Sequence, residues 1–157
     1  MAFGKPEFFC AVLLVSRDPK RLADFYRDIL GFPLEDEKHD GTEIHYGCEV
    51  GDLHFAIHPV ENFKGREPGV GAVKLAFEVF DIAAFLSRIA IHGVKPLYEP
   101  KALGGTSLIT AIVDPDGNEI EFTQLSEGWF KHIKKRRADG VDMLSRWESR
   151  KVNSQKA

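Results

Sequence analysis

The sequence predicts an α+β fold: two tandem β-α-β-β-β modules forming a concave mixed sheet, helices on its outer face, and a helical tail. Three observations carry this prediction. A strand followed by a helix at residues 8–30 returns at 72–93, an offset of about 60 to 65 residues. Each pass is followed by three short strand-like segments. Finally, the tight turn Asp114-Pro115-Asp116-Gly117-Asn118 runs straight into the alternating segment Glu119-Ile120-Glu121-Phe122-Thr123.

The elements follow in order. Residues 8–15, Phe-Phe-Cys-Ala-Val-Leu-Leu-Val, read as a strand. Asp18 caps a helix with Pro19 at its first position. Leu22, Phe25, Tyr26, Ile29 and Leu30 recur at helical spacing, and Gly31 ends the helix. Strands are expected near 33–38, 42–49 and 52–58. The second pass starts with the strand 72–79. Asp81 caps a helix whose apolar face is Ile82, Phe85, Leu86 and Ile89, ending near Gly93. Strands are expected near 95–99, 106–113 and 118–125. Residues 1–125 thus read as one domain of two modules, 8–58 and 72–125, joined by the linker 59–71. Residues 126–157 form a basic helical extension.

Composition narrows the function classes. The chain has 157 residues, 43% hydrophobic and 29% charged, enough for one domain with a substantial core. Its net charge of -3 gives no pull towards nucleic acid or an acidic membrane. No apolar run approaches the roughly 20 residues that span a bilayer. The N-terminal region lacks a signal-peptide layout, so the cytoplasm is the expected compartment. Cys10 and Cys48 have no metal or redox spacing and suit reducing conditions. No phosphate-binding glycine loop, dinucleotide fingerprint or Gly-x-Ser-x-Gly elbow is present.

Each helix has one apolar stripe and covers one sheet face. The other face is left for a site. Alternation assigns Ala11, Leu13 and Val15 to the first helix and Cys10, Val12 and Leu14 to the cavity. In the second module Val73, Leu75, Phe77 and Val79 face the helix, and Lys74, Ala76 and Glu78 face the cavity. His54, Ala56 and His58 point inward from the last strand of the first module; Glu119, Glu121 and Thr123 do so from the last strand of the second.

The doubled β-α-β-β-β order, the helix end Phe25-Tyr26-Arg27-Asp28-Ile29-Leu30-Gly31-Phe32 and the run Asp114 to Glu121 resemble the vicinal oxygen chelate superfamily. That group includes glyoxalase I, methylmalonyl-CoA epimerase, extradiol dioxygenases and the bleomycin-resistance proteins. The resemblance covers residues 8–125 and implies a homodimer. It also implies a divalent metal held by one residue from each module's first strand and one from each module's last strand, usually His, Gln or Glu. By position these places fall on Cys10, Ala56, Lys74 and Glu121, and only Glu121 matches. Ala56 has no ligating atom, Lys74 is an ammonium, and Cys10 offers a soft sulfur unusual for this family. The family's usual metal site is therefore expected to be missing.

Several substitutes for it remain open. Lys74 can stand in the metal's place, its ammonium against Glu121, binding an anionic or carbonyl-bearing ligand; a structural ion pair reads equally well. A relocated divalent metal can use Glu121 with His58 or His54, joined by His45 or Cys10. His54 and His58 lie ~13 Å apart on one strand, however, and do not easily share an ion. The histidines and Glu121 can instead act as general acid and base, or simply be polar groups on a wet face. Glu78 and Glu119 complete the candidate ligand contacts. His39, His92 and His132 receive no role.

The tail carries about +5 of charge, including Lys134-Lys135-Arg136-Arg137, and reads as one or two amphipathic helices with a break near Gly140. It lacks the stacking aromatics or groove-reading motif of a nucleic-acid binder. Packing on the acidic body or on a second copy is its expected role. Three function classes follow: a metal-free small-molecule binder, a metal-dependent lyase, isomerase or dioxygenase with relocated histidine ligands, and a protein-interaction module acting through the tail.

Overall fold

A computed structural model describes residues 10–39, 41–50, 53–63, 68–69, 74–104, 106–124 and 127–139. The chain divides into two compact units, residues 11–125 and a second made of 1–10 with 126–157. In the first unit, β1 (Ala11–Ser16) leads into α1 (Pro19–Asp24), which continues as a wider π-helical turn over Phe25–Ile29. β2 (Glu35–Glu37), β3 (His45–Val50) and β4 (Leu53–Pro59) complete the first module. The second module repeats the order with β5 (Leu75–Glu78), α2 (Ile82–Ala90), β6 (Lys101–Gly104), β7 (Ser107–Val113) and β8 (Glu119–Gln124). The strands form two four-stranded sheets, ordered β1-β4-β3-β2 and β5-β8-β7-β6. In each, the first strand runs parallel to the last and the other pairings are antiparallel. The tandem fold expected from the repeat is the fold found.

The helices start where their caps dictate. The Asp18 carboxylate accepts from the Arg21 amide at 3.1 Å, and Asp81 accepts from the Ala84 amide at 3.0 Å. Each satisfies a backbone donor that the first helical turn cannot. Asp81→Ala should therefore lower the unfolding free energy by about 1 kcal/mol. A urea midpoint indistinguishable from wild type would refute that role. At the end of α1 the Leu30 amide reaches back to the Phe25 carbonyl at 3.1 Å, and the Phe32 amide to the Tyr26 carbonyl at 2.9 Å. The wider turn swings Phe32 back towards the core.

One apolar cluster holds both modules. Leu22, Phe25 and Tyr26 from α1 pack with Phe55 and Ile57 of β4, and Phe85 and Ile89 from α2 join Ile112, Ile120 and Phe122. Phe32 ties the two halves: its ring lies 5.2 Å from Phe55 and 5.1 Å from Phe77. Polar links reinforce the joint. Arg88 donates to the Ile29 carbonyl at 2.7 Å, Arg21 donates to the Pro115 carbonyl, and the Tyr26 hydroxyl donates to Asp114 at 3.2 Å.

The turn before β8 is built around the buried residue Asp114. Its carboxylate accepts from the amides of Asp116 and Asn118 and from the Asn118 side chain, each at 2.9 Å. Gly117 has φ of +90°, a conformation that a side chain would strain.

Two expectations need correction. In β1 it is Val12 and Leu14 that pack against the core, while Leu13 is 45% exposed. The cavity face of β1 is thus Ala11, Leu13 and Val15, in phase with His54, Ala56 and His58. Both phases of this strand are apolar, so alternation alone cannot choose between them. The strand expected at 95–99 is irregular, and β6 lies at 101–104 instead. Pro96 and Pro100 have no amide to give a ladder, although Leu97 still donates to the Ala111 carbonyl at 2.8 Å. β6 bulges between Ala102 and Gly104; Gly105 lies outside the described residues.

In the second unit, α3 (Glu127–Ala138) forms as expected, with ion pairs one turn apart from Lys131 to Glu127 and from Lys135 to Asp139, both at 2.6 Å. The second tail helix, over Val141, Leu144 and Trp147, falls outside the described residues, as do residues 64–67, 70 and 71 of the linker 59–71. No helix among the described residues is long and apolar enough to cross a membrane.

Candidate functional site

Strand register defines two open faces. In the second sheet Glu121 sits between Ala76 of β5 and Ala111 of β7. Those small neighbours leave its carboxylate reachable, with 25% of the side chain exposed. Lys74, just before β5, places its ammonium 2.7 Å from Glu119 and 3.7 Å from Glu121. Its closest partner is thus Glu119 rather than the expected Glu121. The hydrogen bond that Lys74 donates to Glu119 raises the Lys74 pKa, with Glu121 adding to the effect. Glu78 is exposed on the same face, beside Thr123. Tyr98 adds an aromatic wall. Burial raises its pKa first, and the Glu121 and Glu119 charges raise it further. The Lys101 ammonium lies 4.4 Å from its ring centre.

In the first sheet the corresponding middle position is Ala56, between Leu13 of β1 and Gly47 of β3. Neither sheet's central row therefore holds a second ligating group beside Glu121. Cys10 is exposed and precedes β1, in the other compact unit. The β1 place it was expected to fill belongs by register to Leu13. Likewise Ala76, not Lys74, lies directly beside Glu121.

The histidines gather on the outer half of the first sheet. His45, 1% exposed, stacks on His58 with ring centres 4.0 Å apart and planes 14° from parallel. Glu37 of β2 pairs with His45 across the hairpin. Its carboxylate oxygen lies 3.3 Å from His45 Nε2 and 3.5 Å from His54 Nε2. His54 Nδ1 meets Glu49 at 2.9 Å. Gly47 makes room for the Glu37 carboxylate: a Cβ there would come within 2.6 Å of it. His39, assigned no role from sequence, has its ring 5.0 Å from His45. Glu37, His39 and His45 offer ligand atoms within 4.8 Å of one another. The described contacts of Glu121 are with Lys74; the acidic partner of the histidines is Glu37.

Sequence reasoning missed Glu37, Tyr98 and Asn62. A signal for Glu37 existed. Two strands closing on a hairpin bring Glu37 opposite His45, but only once the turn between them is known. Asn62 donates to His58 Nδ1 at 3.3 Å and is itself tied to the Glu43 backbone. That bond leaves His58 neutral. Burial, then the neighbouring His45, lower its pKa from 6.5 to about 4. An unfolded chain protonates this ring first as pH falls. Its stabilisation is thus complete above pH 6.5 and is lost as pH falls from 6.5 towards 4. With its partial exposure discounted, about 1–2 kcal/mol of chelator-treated wild type should disappear over that window. His58→Gln should flatten this pH dependence; urea midpoints at several pH values would reveal an unchanged slope if the assignment is wrong.

Fold and site define a two-module α+β protein with an open face on each sheet. The sequence profile of the Glyoxalase/Bleomycin resistance protein/Dioxygenase superfamily matches residues 10–122, and the chain belongs to that superfamily. No curated protein sequence matches it significantly. Among solved structures it is similar to a member of the superfamily from Sphaerobacter thermophilus, with 21% identity and a TM-score of 0.61, covering 74% of this chain and 95% of the other. It is also similar to TnmS3, an antibiotic binding protein from Streptomyces sp. CB03234, with 22% identity, a TM-score of 0.62 and coverage of 80% and 99%. A third is lactoylglutathione lyase from Agrobacterium tumefaciens, with 20% identity, a TM-score of 0.56 and coverage of 75% and 93%. At such identities the likeness concerns the fold.

Proposed function

We propose that the protein binds a small molecule on the open face of its sheets, with no metal at the family's usual place. One observation carries the reading. The neighbours of Ala56 and Glu121 across the strands are Leu13, Gly47, Ala76 and Ala111, none of which offers a ligand atom. A lone carboxylate beside an ammonium is a poor cation site but a good polar anchor at the bottom of a ligand face. The antibiotic-binding description of TnmS3 supports the same class of function.

Charge indicates the ligand type. Lys74 is shared by Glu119 and Glu121, so these three groups together are negative. That argues against the anionic ligand expected from sequence. It favours a molecule with a cationic or hydrogen-bond-donating group and an apolar body resting on Tyr98 and the exposed Val113. Thermal-shift titrations of chelator-treated protein with cationic, neutral and anionic aromatic compounds test this. Cationic compounds should raise the melting temperature, and Glu121→Gln should weaken them about tenfold. Binding by anionic compounds alone, or only with added metal, would sink the reading.

A second reading, a metal-dependent lyase, isomerase or dioxygenase with relocated ligands, is favoured by the histidine group of the first module. It predicts turnover that chelator abolishes and that Glu121→Gln alone does not. Homodimerisation would be compatible with either.

A further inference from the structure

Both ring nitrogens of the buried His45 face oxygen atoms. Its Nδ1 contacts the Glu43 backbone carbonyl at 3.4 Å, and a carbonyl can only accept. With the proton on Nδ1, the Nε2 atom presents a lone pair. That lone pair faces the Glu37 carboxylate oxygen at 3.3 Å, an acceptor against an acceptor. His45 is buried, with its ring stacked on the flat face of His58. A cation between Nε2 and the carboxylate satisfies both lone pairs at once.

The spacing fits such an ion. A tetrahedral site with metal–ligand bonds of about 2.0–2.1 Å has ligand atoms about 3.3 Å apart. His45 Nε2 and Glu37 Oε2 already stand at 3.3 Å. The His39 ligand atom lies within 4.8 Å of both, and as an exposed side chain it can close the remaining ~1.5 Å by a rotamer change. The backbone of His39 is held in place. Its amide donates to Thr42 Oγ1 at 3.1 Å, and its carbonyl accepts from the Thr42 hydroxyl at 2.9 Å. The surroundings complete the site: the Glu43 carbonyl accepts a hydrogen bond from a proton on His45 Nδ1, and His54 lies 3.5 Å from the Glu37 oxygen.

We propose that Glu37, His39 and His45 bind a first-row divalent transition metal ion such as Zn²⁺ on the β2–β3 hairpin, away from the Glu121 row. Two imidazoles and one carboxylate suit such an ion. Three protein ligands leave a coordination position for water or for a donor atom of a small molecule. Gly47 belongs to the design, because any side chain there would push Glu37 off the ion.

Zn²⁺ titration of the chelator-treated full chain, against a competing chromophoric chelator at pH 7.5, tests the site. Wild type should bind one Zn²⁺. His39→Ala and Glu37→Gln should each weaken binding at least about tenfold. Gly47→Ala, which removes no ligand, should weaken it too. Glu121→Gln and His92→Ala should leave it unchanged, which separates this site from the Glu121 row and from adventitious histidine binding. Co²⁺ substitution supplies a direct readout, a visible absorption band that His39→Ala loses. Because His39 is exposed, that variant should keep the native circular dichroism spectrum. Absence of Zn²⁺ binding, unchanged affinity in both His39→Ala and Glu37→Gln, or dependence on Glu121 would each overturn the proposal.

Discussion

Asp114→Ala should lower the unfolding free energy by about 3–5 kcal/mol, the largest single polar effect expected in the molecule. Asp114 is a buried residue, 4% exposed, and its carboxylate accepts from two backbone amides, the Asn118 side chain and the Tyr26 hydroxyl. Alanine leaves those buried or half-buried donors with nothing to bond. An unsatisfied donor of this kind costs about 1–3 kcal/mol, less where water can enter. Burial and the Asp114 charge also raise the Tyr26 pKa well above its usual value, so the phenol stays a donor throughout the accessible pH range. Asp114→Asn keeps one acceptor oxygen and should lose less than alanine does. Tyr26→Phe should cost only about 1 kcal/mol, because it removes one bond of several while the ring stays packed. The order Asn milder than Ala is the decisive comparison in urea unfolding. An alanine variant within about 1 kcal/mol of wild type would falsify the account.

Phe32→Ala should cost about 2–4 kcal/mol, somewhat below the range for a fully buried phenylalanine because Phe32 is only partly buried. Its ring meets Tyr26 at 5.4 Å, Phe55 at 5.2 Å and Phe77 at 5.1 Å, touching the helix, the first sheet and the second sheet. Its loss should therefore loosen the joint between modules rather than one module alone. A double-mutant cycle with Phe77→Ala reads this directly. A coupling of about 0.5–1.5 kcal/mol is expected for an edge-to-face pair beyond simple burial. Additive losses would show that Phe32 serves only its own module.

The fold was legible because it is written twice. Two cap-and-stripe helices, each preceded by an apolar strand, fix the topology without reference to any site. Faces were legible wherever polar and apolar residues alternate. His54, Ala56 and His58 could be placed against Phe55 and Ile57, and Lys74 and Ala76 against Leu75 and Phe77. β1 offered no such contrast, and there the phase came out inverted. The site was only partly legible. Glu121 and the stacked His45 and His58 lie on regular strands, so alternation finds them. Glu37 and His39 depend on a hairpin whose length sequence does not set, and Tyr98 comes from a segment whose prolines hide its path along β7. The turn Asp114 to Asn118 has two jobs. It presents Glu121 on one side and, through Asp114, fastens the first helix to the second module on the other.

Each sheet ends in strands whose outer backbone groups have no ladder partner among the described residues. β2 and β5 are three and four residues long, β2 being Glu-Asp-Glu, and β6 is bulged and begins with Lys101. Shortness, charge and irregularity discourage pairing with a foreign chain. β1 has none of these guards: Ala-Val-Leu-Leu-Val-Ser is six residues long, uncharged and apolar on both faces. Among the described residues, its open side is the edge least guarded against pairing with another strand.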